Sequence, residues 1–219
     1  MDDIWHEGTI CPNCYSDVRH RLLAAALMDL QEFSMSELVT NKDVLHFAPE
    51  PQISEKFRSA ARTYETADFH RQDVDRNLDI TRMSSVHNGS VDLVVACDVL
   101  EHVDDRSALT EINRILKLGG IAILTVPQKD HANLTYEDDS ITTPEAREDA
   151  FGQSDHLRIY GNDFAARVES AGFFVRQVDS EGFSDEVRKR FVLAPPKLSS
   201  HPLATNYRKI FFCRKEVKN

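Results

Sequence analysis

The sequence predicts a doubly wound α/β domain, with a mostly parallel seven-stranded sheet and helices on both faces. Three observations carry this. Short apolar runs rich in β-branched residues alternate with segments of helical period. The strongest runs, VDLVVAC and IAILTVP, are apolar at successive positions, as strands covered on both faces must be. A length of 219 residues fits one hydrophobic core.

In chain order, a Cys-x-x-Cys knuckle at Cys11 and Cys14 precedes residues 17–31, where Leu22, Leu23, Ala26, Leu27 and Leu30 share a helical face and Asp17 stands as N-cap or first-turn acid. KDVLHFA then reads as a strand ended by APEP, whose prolines pre-set a turn into the helix SEKFRSAAR. The pattern repeats as strand TYETA ending at Asp68, a short strand near NLDI, and VDLVVAC ending at Asp98. A helix over Arg106–Lys117 follows, stopped by Gly119-Gly120, and IAILTVP comes directly after. Helix GNDFAARVESAG, strand FFVRQVD and a closing strand in YRKIFFCRK complete the pattern. Residues 1–35 are assigned to the same domain as a 36–219 core, which carries polar insertions at 128–160 and 183–206. Long loops in compact domains are usually functional or disordered.

The composition, 41% hydrophobic and 28% charged, is that of an ordinary globular chain. No apolar run approaches the roughly 20 residues of a membrane-spanning helix, and MDDIWHEGTICPNC lacks the pattern of a signal peptide, so a cytoplasmic protein without a membrane partner is expected. A net charge of -10 disfavours a nucleic-acid partner. Cys97 and Cys213 lie in strand-like segments, which suits reduced, buried thiols. Cys11 and Cys14 are half of a zinc set; His6 and His20 are not at typical spacing to complete it, so no bound metal is expected.

In open α/β sheets ligands bind beyond the carboxyl ends of the strands. That rule selects Ala48–Pro51, Asp68 and Cys97–His102. A carboxylate at the second strand tip, twenty-one residues after Phe47, is placed to accept hydrogen bonds from a ribose diol. Alone it reads as a turn acid. Together with Asp79 after another short strand and the run DVLEHV, it outlines an adenosine-binding crevice.

The stretch VDLVVACDVLEHVDDRSALTEINRILKLGGIAILTVP resembles class I S-adenosylmethionine-dependent methyltransferases with a "VLEHV" segment and an "LKPGG" turn, here LKLGG. CPNC…RHRLL, VLHFAPE, TYEDDSIT and FGQSDHLRIYG resemble a bacterial subgroup of that family. One departure stands out: the first loop, HFAPEPQIS, has none of the usual glycines. The resemblance implies a Rossmann-like fold and S-adenosylmethionine as cofactor, leaving as S-adenosylhomocysteine. It implies that Ala48, Pro49 and Glu50 line the methionine part, Asp68 with Phe69 holds the ribose, Asp79 and Ile80 flank adenine, and Cys97, Asp98 and His102 lie near the sulfonium. Arg19 and His20 come near the crevice mouth, where Arg19 either pairs with the cofactor carboxylate or belongs to a solvated helix face.

For an acceptor that must lose a proton, a general base is needed. The candidates are His102, His131 and the pair Asp155-His156, with His156 favoured because Arg158 and Tyr160 surround it in a segment no core periodicity explains. The competing reading is that DHLRIYG pins the insertion to the next helix. His131, Tyr136, Arg158 and Tyr160 are the candidate acceptor-binding residues. The expected activity is methyl transfer to an oxygen or nitrogen of a small-molecule or glycan acceptor. Alternatives are a silent cofactor-binding module, or a nucleotide-cofactor oxidoreductase, which the missing G-x-G-x-x-G disfavours. Oligomeric state is not legible.

Overall fold

The computed structural model describes residues 9–216; His6, considered as a zinc ligand, lies outside them. Helix α1 (Val18–Asp29) starts from a capping box in which the Asp17 side chain and the ring of His20 each satisfy an end group of the other's backbone. A short turn and α2 (Met35–Leu38) lead into β1 (Asp43–Phe47). Helix α3 (Pro51–Ala60) begins three residues earlier than the sequence suggested, because Pro51 fills the first helical position, where its missing N–H costs nothing. Strands β2 (Thr63–Asp68), β3 (Arg76–Asn77) and β4 (Val91–Cys97) follow. Strand β3 is shorter and earlier than NLDI, so Asp79 and Ile80 belong to the turn after it.

Helix α4 (Asp105–Ile115) stops two residues short of Lys117, and LKLGG already belongs to β5 (Leu116–Thr125). The register shift between Val91 and Leu93 absorbs the irregularity, and Gly119 adopts φ 74°, which favours glycine. After the insertion come α6 (Phe164–Ser170), β8 (Phe173–Val178), α7 (Asp185–Phe191) and β9 (Ile210–Lys215).

The sheet has seven strands in the order β3-β2-β1-β4-β5-β9-β8, parallel except for β9, which runs against both neighbours. Alternation along the strands sorts the core into two layers. Val94, Ala96, Ala122, Leu124 and Phe211 pack with Leu109, Ile112 and Ile115 of α4 and Phe164 of α6. Leu93, Val95, Ile121, Ile123 and Phe212 pack on the opposite face with Leu22 and Leu23 of α1 and Ile53 and Phe57 of α3. Each fully buried aliphatic or aromatic side chain contributes about 1.5–3 kcal/mol, more than the intrinsic propensity of such short helices supplies. Among the described residues no helix is long and apolar enough to cross a membrane.

The 128–160 insertion is structured. It contains β6 (Tyr136–Glu137), α5 (Pro144–Phe151) and β7 (Arg158–Ile159), with β6 and β7 paired antiparallel. Sequence periodicity missed these because two-residue strands carry no period. The insertion closes at Gly161, where a Cβ would lie 2.4 Å from the carbonyl carbon of Leu134 and 2.6 Å from its oxygen. Both obstacles are backbone and cannot rotate away. Gly161→Ala is therefore expected to destabilise the chain by about 1–3 kcal/mol, read as a lower midpoint in urea unfolding; an unchanged midpoint would show that the two segments can separate freely.

Candidate active site

The carboxyl ends of β1, β2 and β4 converge on a cavity of about 660 Å³, within the roughly 300–1,000 Å³ usual for small-molecule sites. Asp68, Phe69, Asp79, Ile80 and Ala48 line one side, and Asp98, Val99, His102 and Leu157 the other. A hollow beside Asp68, which the sequence reading required, is present. Asp68 Oδ1 accepts the backbone N–H groups of His70 (2.8 Å) and Arg71 (3.0 Å), and Asp79 Oδ1 accepts the N–H (2.8 Å) and hydroxyl (2.6 Å) of Thr81. Both acids thus shape their own turns through one oxygen while bordering the cavity. The turn reading of Asp68 and the cavity reading hold together.

The tip of β1 solves the missing-glycine problem in its own way. Ala48 takes φ 45°, the left-handed region, and donates its N–H to Ala67 O at 2.9 Å. Pro49 is buried and its carbonyl accepts from Arg71 Nη1 at 3.0 Å. Glu50 follows as the N-cap of α3. The tip of β4 repeats the device, with Asp98 at φ 53°. Such residues are uncommon outside glycine and cluster where surrounding structure imposes them.

A charge network links these tips to α1. Arg19 pairs with Glu50, donates to Asp17 Oδ2 at 2.6 Å and lies 3.3 Å, by Nε, from Asp98 Oδ2. His20 Nδ1 accepts the Asp17 N–H at 2.9 Å, which puts the ring proton on Nε2, 2.8 Å from Glu50 Oε1. His20 is buried and faces Glu50 and the start of α1. Asp98 also accepts the Thr125 hydroxyl (2.8 Å) and pairs with buried Arg208. Burial opposes ionisation of Asp98, but Arg208 and Arg19 outweigh it and hold the carboxyl well below the usual range. Cys97 is buried beneath, and burial pushes its thiol up.

Residues of the insertion approach from the other side. Leu157 N–H donates to Glu101 O at 2.8 Å, Arg158 Nη1 donates to Leu100 O (2.9 Å) and Val103 O (2.6 Å), and the Tyr160 hydroxyl donates to Leu100 O at 3.2 Å. DHLRIYG therefore clasps the turn Leu100–His102, and the ring of Tyr160 also meets Phe164 of α6 edge to face, 4.8 Å between centroids. This brings Glu101, His102 and His156 together, with donor atoms within 4.8 Å of one another. Burial, reinforced by His102, pulls the His156 ring down to about 4. Asp155 Oδ2 lies 3.1 Å from His102 Nδ1.

The four expected acceptor residues are not brought together. His131 faces a separate cleft with Lys129 and Tyr207; Tyr136 is exposed beside Phe151; Arg158 and Tyr160 are buried in the clasp, Tyr160 also 3.0 Å from Asp105. Glu137 of TYEDDSIT is held by Arg158 (2.9 Å) and Arg167 (3.0 Å). Sequence reasoning selected the Cys97–His102 tip but gave Glu101 within it no role, and it missed Arg208. Glu101 sits inside the quoted DVLEHV run, where a carboxylate among apolar residues was the available signal; Arg208 lies in an irregular stretch with none.

Two outcomes are expected from the tips. Ala48→Gly removes a left-handed penalty of about 1–2 kcal/mol and costs about 0.5–1 in unfolded-chain entropy, so thermal melts should rise slightly; a fall would refute the strain. His46, fully buried with Nδ1 2.7 Å from the Tyr64 hydroxyl, is held down to about 4 by burial. Its native ring excludes the proton that the unfolded chain takes up near pH 6.5, so its contribution to stability falls as pH drops from about 6.5 to about 4. NMR titration should find His46 neutral at pH 5; a midpoint near 6.5 would contradict the burial.

Residues 50–124 match a family model described as a methyltransferase domain. Among solved structures, a 1,6-didemethyltoxoflavin-N1-methyltransferase from Burkholderia thailandensis, crystallised with 1,6-didemethyltoxoflavin and S-adenosylhomocysteine, superposes with a TM-score of 0.60 at 12% identity, over 91% of this chain and 80% of that one. An S-adenosylmethionine-dependent methyltransferase from Mesorhizobium loti gives 0.55 at 12% identity over 86% and 100% of the two chains. One from Archaeoglobus fulgidus gives 0.54 at 14% over 89% and 94%. These likenesses establish the fold. No curated protein matches the sequence.

Proposed function

We propose that the chain is an S-adenosylmethionine-dependent methyltransferase that methylates an oxygen or nitrogen of a small-molecule or glycan acceptor. The observation that carries this reading is the cavity at the carboxyl ends of β1, β2 and β4, bordered by Asp68 at the second tip and by Asp79 and Ile80 in the next turn. It lies at the strand ends where doubly wound sheets bind nucleotides. The match of residues 50–124 to a methyltransferase domain supports it, as do similar folds crystallised with S-adenosylhomocysteine.

In this reading Asp68 accepts hydrogen bonds from the ribose diol through the oxygen its turn does not use. Asp79 and Ile80 flank adenine, and Phe69, 62% exposed at the rim, covers the nucleoside. Ala48, Pro49 and Glu50 take the methionine part. Glu50 Oε2 is buried and, among the described residues, has no hydrogen-bond partner; a substrate ammonium would satisfy it. Arg19 and His20 set the orientation of Glu50. Asp98, over Cys97, borders the place of the sulfonium.

Methyl transfer then needs little covalent help: the acceptor's lone pair forms the new bond to carbon while sulfur keeps the electrons of the old one. The protein's task is alignment and exclusion of water. His102, which shares the cavity wall with His70, is placed to meet an acceptor.

Isothermal titration of the full chain with S-adenosylmethionine is expected to show one site. Asp68→Ala should weaken it by about 1–3 kcal/mol, the value of a hydrogen bond to a charged group; unchanged affinity would remove Asp68 from the site. Formation of S-adenosylhomocysteine with hydroxyl or amine acceptors tests turnover. Binding without turnover across both classes would leave a silent cofactor-binding module.

A further inference from the structure

We infer that Glu101, His102 and His156 form a binding site for a single divalent transition-metal ion at the wall of the cavity. The three side chains come from two separate segments, the Leu100–His102 turn and the insertion, and their donor atoms lie within 4.8 Å of one another. Glu101 and His156 are each only 1% exposed. Among the described residues, Glu101 Oε2 and His156 Nε2 have no hydrogen-bond partner. Leaving two such buried acceptors unsatisfied is costly, and a shared cation satisfies both at once.

The surroundings orient the ligands as metal sites require. His156 Nδ1 lies 3.2 Å from Phe151 O; a carbonyl only accepts, so Nδ1 carries the proton and Nε2 presents its lone pair. His102 Nδ1 lies 3.1 Å from Asp155 Oδ2, which likewise leaves Nε2 as the donor atom. A carbonyl or carboxylate behind each histidine is the usual outer shell of a metal-binding imidazole. The rings meet edge to face at 4.7 Å between centroids. Bonds of about 2.1 Å at tetrahedral angles hold two ligands of one ion about 3.4 Å apart, so closure on an ion draws atoms now within 4.8 Å of one another together by up to about 1.4 Å. The Leu157 N–H and the Arg158 guanidinium, donating to backbone carbonyls of the turn, fix the two segments in that register.

Two imidazoles and one carboxylate select a first-row transition ion of zinc, cobalt or iron type over magnesium or calcium, which take oxygen ligands. Three protein ligands leave coordination positions open. They fall on the cavity side, because His102 borders the cavity while Glu101 and His156 are enclosed.

The test is titration of chelator-stripped full-length protein with Co2+, read by visible absorption. One equivalent is expected, displaced by Zn2+ and not by millimolar Mg2+. Glu101→Gln and His156→Gln should each weaken Co2+ binding at least tenfold, with folding checked by circular dichroism. Should either fail to fold, His102→Gln, at a more exposed position, gives the same readout. Asp155→Asn, a positioning variant, should weaken binding by about tenfold. A Cys11→Ser, Cys14→Ser double variant should leave the spectrum unchanged. No Co2+ uptake, uptake lost only in the cysteine variant, uptake unaffected by the ligand variants, or displacement by Mg2+ would each overturn the assignment. S-adenosylmethionine titration of the same metal-free protein is a separate measurement, so failure of either idea is read independently.

Discussion

The site depends on the neutralisation of one carboxylate. Asp98 ends β4 in a left-handed conformation and is met by Arg19 from α1, Thr125 from β5 and Arg208 from the segment before β9. Three regions far apart in the chain are thereby fixed at one strand tip. Removing one partner of a buried ion pair costs about 3–5 kcal/mol, because the remaining charge is stranded. The network therefore disciplines the geometry of the crevice more than it adds stability. Glu50 is drawn into the same network through Arg19 and His20, which couples the first and fourth tips.

The acids that border the cavity show how a short strand-turn sequence serves two ends. Asp68 and Asp79 each use one oxygen to close a local turn. This is the behaviour that makes aspartate common in turns, and it fixes the carboxylate without spending both oxygens. Ala48 and Asp98 pay in backbone strain for tips that place the chain beside the cavity. A glycine-free first loop is thus compatible with the turn that glycine usually makes, since the neighbouring strands and Pro49 hold the conformation.

The insertion closes the opposite wall. Its hairpin, its helix and the buried pair Arg158 and Tyr160 hold the Leu100–His102 turn by backbone carbonyls, and Arg167 with Tyr160 satisfies buried Asp105 at the start of α4. Polar residues with no core periodicity read as candidates for contact with an acceptor; here Arg158 and Tyr160 satisfy backbone groups that burial would otherwise leave orphaned. The consequence is functional all the same, because the clasp carries His156 to Glu101 and His102.

By itself the sequence determined the layered fold and the strand tips. Val94, Leu124 and Leu109 repeat with the periods of buried strand and amphipathic helix, and such periods follow from local geometry alone. Asp68, Asp79 and Asp98 were legible because the ligand side of a parallel sheet is set by strand direction. Only the tertiary structure decided that Arg208 neutralises Asp98, that Asp155 pairs with His102, and that Arg158 and Tyr160 turn inward. Those pairings join residues about 50 to 110 positions apart, and no local period reports on a contact whose partners meet only when the chain has closed.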